Sequence, residues 1–93
     1  PKARYSAEKR LYSRFVESLQ EAGLVAEYSM PVNTLTSLAI HEFPAVELEL
    51  KEVGDLFDRL LYQSDLGSES HIMHKAINKK LKLLVKKLGK RPS

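Results

Sequence analysis

Apolar positions recur with the 3.6-residue period of an amphipathic helix in three long stretches of the chain, whereas strand-like alternation is weak throughout. In the first stretch Leu11, Tyr12, Phe15, Val16, Leu19 and Ala22 fall within one arc of a helical wheel, with Arg10, Arg14, Glu17 and Glu21 on the other side. Ser6 is a suitable N-cap and Gly23 a suitable residue just past the C-terminus, which predicts a helix between them. Residues 24–33 read as a connector, since Pro31 disfavours helix immediately before it. Asn33 or Thr34 then predicts the cap of a short helix from Leu35 to near Phe43, with Leu35, Leu38 and Ala39 turned inward. Pro44 ends that helix and suits the first turn of a third. There Val46, Leu50, Val53, Phe57, Leu60 and Leu61 share a face, and Glu47 and Glu49 complement the positive helix end. Gly54 borders this face; a glycine inside a helix costs ~1 kcal/mol against alanine, so its presence predicts close approach of a neighbouring helix. After a break at 64–70, Ser68 or Ser70 predicts the cap of a last helix ending near Leu88, with Gly89 beyond it. Met73, Ile77, Leu81, Leu84 and Leu88 form its main stripe. The expected fold is all-α: a small antiparallel helical bundle of three long helices plus one short helix.

Length agrees with this pattern, because 93 residues fill one small domain and leave little room for an elaborate buried site. The expected organisation is a single helical domain over 1–93, with 1–6 a leader and 89–93 a basic tail. There is no cysteine, which excludes disulfides, thiolate metal sites and cysteine nucleophiles within this chain. The first residues carry no apolar run of the signal-peptide kind, and no apolar stretch approaches the ~20 residues that span a bilayer. Net charge is a mild +3, but it is a cancellation. Residues 1–14 carry +4, residues 15–70 carry −9 and residues 71–93 carry +8. Two basic ends flank an acidic middle.

Few residues suggest catalysis or a cofactor. His71-x-x-His74 with Glu69 nearby has the spacing of helical metal ligands, which makes a metal-dependent enzyme one reading. The wheel opposes it, placing His74 at the edge of the Leu81/Val85 arc facing the core and His71 toward solvent. His41-Glu42 has neither a nucleophile nor a second carboxylate beside it, and adjacent helical residues diverge by ~100°. Four scattered glycines make no phosphate cradle. The expectation is a non-enzyme with no cofactor and no metal.

The last helix is more distinctive. Lys75, Lys79, Lys82 and Lys86 form a ridge opposite the main apolar stripe. Lys80 and Lys87 lie between that stripe and a second apolar strip of Ile72, Ala76 and Leu83. A helix docked through its main stripe leaves this second strip near the surface, rimmed by lysine, which suits an anionic bilayer, an acidic protein patch or nucleic acid. Lysines near a helix C-terminus also complement the macrodipole and lay their stems over apolar surface, so a purely structural origin competes. Against nucleic acid stand the absence of arginine from 71–90, the lack of tyrosine or phenylalanine among the lysines, and the repulsive acidic middle. A free-standing protein binding nucleic acid nonspecifically through Lys75, Lys79, Lys82 and Lys86 is the alternative.

The order of these features resembles the small C-terminal domain of unknown function in bacterial and archaeal transglutaminase-like membrane proteins. That domain opens with a pattern similar to Leu11-Tyr12-x-x-Phe15, then Leu19 and Gly23-Leu24. It continues with a capping threonine like Thr34, a proline like Pro44, a motif like Leu60-Leu61-Tyr62, and a final basic helix. The resemblance covers roughly residues 8–88; Leu35 and Gln63 stand where the family usually has proline and glycine. It implies that a bundle of membrane helices, an extracytoplasmic domain with a Cys-His-Asp triad and one further membrane helix precede this module. The triad has no counterpart here. The chain is then expected to be a fragment starting at Pro1, a cytoplasmic interaction or regulatory module at the bacterial inner membrane. The resemblance also gives Lys2, Arg4, Lys9, Arg10 and Arg14 a juxtamembrane reason, since cytoplasmic residues flanking a membrane helix are enriched in Lys/Arg. Expected partners are a protein or the anionic inner-leaflet lipid.

Overall fold

The computed structural model describes residues 2–62 and 69–88, the side chains of residues 2–6 excepted. Among these residues are four α-helices, α1 (Lys2–Glu21), α2 (Val32–Glu42), α3 (Glu47–Tyr62) and α4 (Glu69–Leu88), with a 3₁₀ turn at Pro44–Val46 before α3 and no strand. Gly89, the 89–93 tail, Ser68 and most of the 64–70 break lie outside the described residues, as do the side chains of Lys2, Arg4 and Ser6.

Helix ends follow backbone chemistry more than side-chain caps. Helix α1 starts at Lys2 rather than at Ser6, because Lys2-Ala3-Arg4-Tyr5 contains no helix breaker and extends the helix by a turn. At its other end Gly23 adopts φ 110°, Leu24 N–H donates to Leu19 O at 3.0 Å and Gly23 N–H to Gln20 O at 3.0 Å. This paired arrangement satisfies the last carbonyls and needs a residue that tolerates positive φ. Helix α2 is capped at Pro31, not at Asn33 or Thr34: Pro31 O accepts Leu35 N–H at 3.0 Å, and no side chain caps the helix. Burial of Val32 draws the start back, and Asn33 and Thr34 become exposed first-turn residues. Phe43 N–H donates to Ala39 O at 2.7 Å, and Pro44 then opens the 3₁₀ turn, where its missing N–H leaves nothing unsatisfied.

The core lies among all four helices. Phe15 of α1 stacks on Phe57 of α3 with ring centroids 5.4 Å apart, and Tyr12 meets Phe57 edge-on at 5.2 Å. Leu19, Leu35, Leu50, Ile77 and Leu84 are fully buried around these rings. The expected inward faces of α1, α3 and α4 are the observed ones, with Leu61 half-buried at their edge. Leu38 differs: it is 40 % exposed, because the buried arc of α2 centres on Val32, Leu35 and Ala39 and Leu38 falls roughly 90° around from it. Val85 also differs, 42 % exposed where α4 borders α1.

Gly54 is buried where α3 crosses α2. A Cβ there would stand 2.8 Å from Thr36 Oγ1 and 3.2 Å from its Cγ2, so the missing side chain is what allows the approach. Ion pairs mark the relative direction of the helices. Glu52 meets Lys80 and Glu49 meets Lys87, so α3 and α4 run antiparallel. Arg14 reaches Asn78, Ala7 lies beside His74, and Ser18 beside Lys82, so α1 and α4 run in the same direction, both opposed to α3.

Candidate functional site

Docking of α4 through Met73, Ile77, Leu81, Leu84 and Leu88 sorts its remaining positions into three outer sectors. The outermost holds Lys75, Lys79, Lys82 and Lys86, all exposed. Among the described residues none of the four is ion-paired. Residues three, four and seven apart stack along one side of a helix, so these four ammonium groups line a single ridge.

In the sector toward α3, Lys80 and Lys87 rim the apolar strip and are also paired across to α3. Lys80 Nζ lies 2.9 Å from Glu52 Oε1, and Lys87 Nζ pairs with Glu49 Oε2. The hydrogen bond from Lys87 holds the Glu49 carboxyl below its ordinary range, helped by a backbone hydrogen bond and by the charges of Lys87 and Lys80. Lys80 and Lys87 therefore brace α4 against α3, with their charges answered inside the fold. Just outside them Ile72 and Leu83 are 65 % and 49 % exposed, with Ala76 half-buried between. The second apolar strip is thus at the surface, bordered by the unpaired ridge on one side and by the braced lysines on the other.

The third sector faces α1. Asn78 Oδ1 accepts a hydrogen bond from Arg14 Nη1 at 3.2 Å, and Arg10 and Arg14 follow one edge of α1 beside His74 and Lys82. Of the five residues expected to form a basic juxtamembrane group, Arg10 and Arg14 stand at this seam and Lys9 is exposed elsewhere on α1. His71 is exposed and His74 half-buried against α1, and the described residues contain no group of three potential metal ligands. His41 and Glu42 are exposed at the end of α2.

Away from α4 the connector is tied to α1. Tyr12 Oη donates to Met30 O at 2.7 Å, Gln20 Nε2 to Ala26 O at 2.8 Å, and Tyr28 Oη to Glu17 Oε2 at 3.0 Å. Burial pushes the Tyr12 phenol up to about 12, with Tyr62 adding to the effect. The Glu17 carboxylate raises Tyr28 through their hydrogen bond, with slight burial and its charge adding.

No helix among the described residues is long and apolar enough to cross a membrane. Comparison of the chain with protein-family models, curated proteins and solved structures returns no match.

Proposed function

We propose that this chain is a non-catalytic helical interaction module whose α4 outer face docks on an anionic bilayer, the cytoplasmic leaflet of a bacterial membrane. One observation carries this reading: Lys75, Lys79, Lys82 and Lys86 stand unpaired beside exposed Ile72 and Leu83, while Lys80 and Lys87 are engaged with α3. Lysines serving only to solvate a helix need no apolar strip beside them; an interfacial helix needs both. Each cation near an anionic leaflet contributes ~1 kcal/mol, and partial burial of two aliphatic side chains adds roughly 1–3 kcal/mol more. That sum gives reversible binding which a covalent tether would strengthen by raising the effective concentration.

The order of helices and the Leu11-Tyr12-x-x-Phe15 and Leu60-Leu61-Tyr62 patterns support attaching this module to a transglutaminase-like membrane protein, as its cytoplasmic tail. In that setting Lys2, Arg4, Lys9, Arg10 and Arg14 follow the last membrane helix, and the module stabilises or transmits the state of an enzyme domain across the bilayer. The exposed acids of α2 and α3, among them Glu42, Glu47, Asp55 and Asp58, then face the cytosol or a protein partner.

Co-sedimentation with vesicles tests the docking face. The wild type is expected to bind phosphatidylglycerol-containing vesicles at low salt and to ignore pure phosphatidylcholine. The K75Q/K79Q/K86Q variant is expected to lose binding, and K80Q/K87Q to keep it. Equal partition onto neutral and anionic vesicles, or tighter binding to duplex DNA than to either, contradicts the reading.

A further inference from the structure

The seam between α1 and α4 carries two grooves of about 250 and 290 Å³ that share Arg14 as a wall. One is lined by Ser18, Lys82 and Val85 together with Arg14, the other by Arg10, His74 and Asn78 with the same arginine. Among the described residues, no Asp or Glu lines either groove. Two parallel helices thus bring the basic side chains of Arg10, Arg14 and Lys82 to one seam with an imidazole beside them and, among the described residues, no carboxylate lining it. Like charges gathered this way repel one another, and an anion placed between the helices would reverse that term.

We infer that this seam is a binding site for a phosphate group. Arginine favours phosphate because its planar fork donates two parallel N–H bonds to two oxygens of one tetrahedral anion. Arg14 is prepared for this. Its Nη1 engages Asn78 across the seam at 3.2 Å, which restrains the guanidinium while leaving most of its five donors for a ligand. Ser18 Oγ donates to Arg14 O at 2.8 Å, so that hydroxyl proton is already committed, and phosphate recognition falls to Arg14 together with Lys82 in one groove or with Arg10 and His74 in the other. The site stands whether or not the α4 ridge meets a bilayer, because Arg10, Arg14 and His74 lie outside the ridge and only Lys82 is common to both. The shared chemistry is a phosphate with at least two free oxygens, supplied either by a small phosphorylated molecule or by a lipid headgroup.

A titration of the isotopically labelled full chain with inorganic phosphate at fixed ionic strength, followed by NMR, tests this directly. Saturable shifts are expected at the Arg14 Nε–H and the Asn78 side-chain amide, together with a rise in Tm as phosphate increases. Arg14→Lys keeps the charge but loses the fork, and is expected to weaken binding about tenfold. Lys86→Gln, which removes a ridge charge away from the grooves, is expected to weaken it less than about twofold, as for a screened exposed charge. The inference is overturned if no shift saturates, if R14K binds phosphate as tightly as the wild type, or if K86Q weakens it as much as R14K does. Vesicles of phosphatidic acid compared with phosphatidylglycerol then identify the source. R14K-sensitive preference for phosphatidic acid assigns the site to a headgroup, and equal binding with intact phosphate shifts assigns it to a soluble phosphate.

Discussion

At Gly54 two opposing effects of one methyl group can be weighed. Alanine in place of a helical glycine gains ~1 kcal/mol of propensity, while forcing a methyl into a filled contact costs roughly 1–3 kcal/mol. Thr36 cannot swing away freely, because it is β-branched and its Oγ1 donates to Val32 O at 2.7 Å. Gly54→Ala is therefore expected to lower unfolding stability by about 1 kcal/mol in urea denaturation, and Thr36→Ala in the same chain to recover most of that loss. Tyr12 gives a second prediction. Its phenol is neutral in the fold up to about 12 against an ordinary 10.0, so the stability it confers is complete below pH 10 and is lost as pH rises toward 12. Unfolding experiments across that window are expected to show an alkaline loss that Tyr12→Phe reduces. Of these two sites, Gly54 was legible in the sequence because a glycine inside a regular helix, at the border of its apolar face, conflicts with helix propensity. The bond from Tyr12 to Met30 O was not, since nothing in a connector's composition says which carbonyl it offers.

At the scale of elements, buried faces were readable and edges were not. The α4 stripe from Met73 to Leu88 follows directly from a 3.6-residue period, and so does the exposure of Ile72 and Leu83 outside it. The fate of Lys80 and Lys87 depended on which helix lies alongside α4 and in which direction it runs. A wheel drawn for one helix contains neither fact. The helix starts deviate for a related reason: Ser6, Asn33 and Thr34 are good caps in isolation, yet helix-forming residues before Ser6 and the burial of Val32 moved the ends. The α3–α4 braces make an acid-side prediction. Because the Glu49 carboxyl is held below its ordinary range, the brace contributes above the unfolded carboxylate pKa and is lost as pH falls through the lowered one. Glu49→Gln is expected to flatten that acidic dependence of Tm while leaving the neutral-pH helix content by circular dichroism unchanged.

For the whole molecule, the +3 net charge conceals a polar body. The fold converts separation along the chain into partial separation in space: α1 and α4, which carry the basic ends, run side by side, and α3 alone carries five of the twelve acidic residues. Within the basic half, two surfaces have distinct chemistry, a lysine ridge with an apolar strip and an arginine-lined seam. Salt should separate the two proposed activities, since docking of the ridge would rest on diffuse attraction that screening weakens steeply, whereas phosphate binding at the seam would rest on directed hydrogen bonds. The proposed docking of α4 on a bilayer assigns each exposed position of the module to lipid or to water. The chain contains no tryptophan, so a single introduced indole reports one position. Leu83→Trp and Ile72→Trp, on the proposed docking face, and Leu48→Trp, on the exposed outer face of α3, are to be compared by fluorescence on phosphatidylglycerol-containing vesicles. A blue shift with quenching by brominated lipid at positions 83 and 72, and none at 48, is the predicted result; an unshifted Trp at 83 and 72, or a shift at 48 equal to theirs, contradicts it.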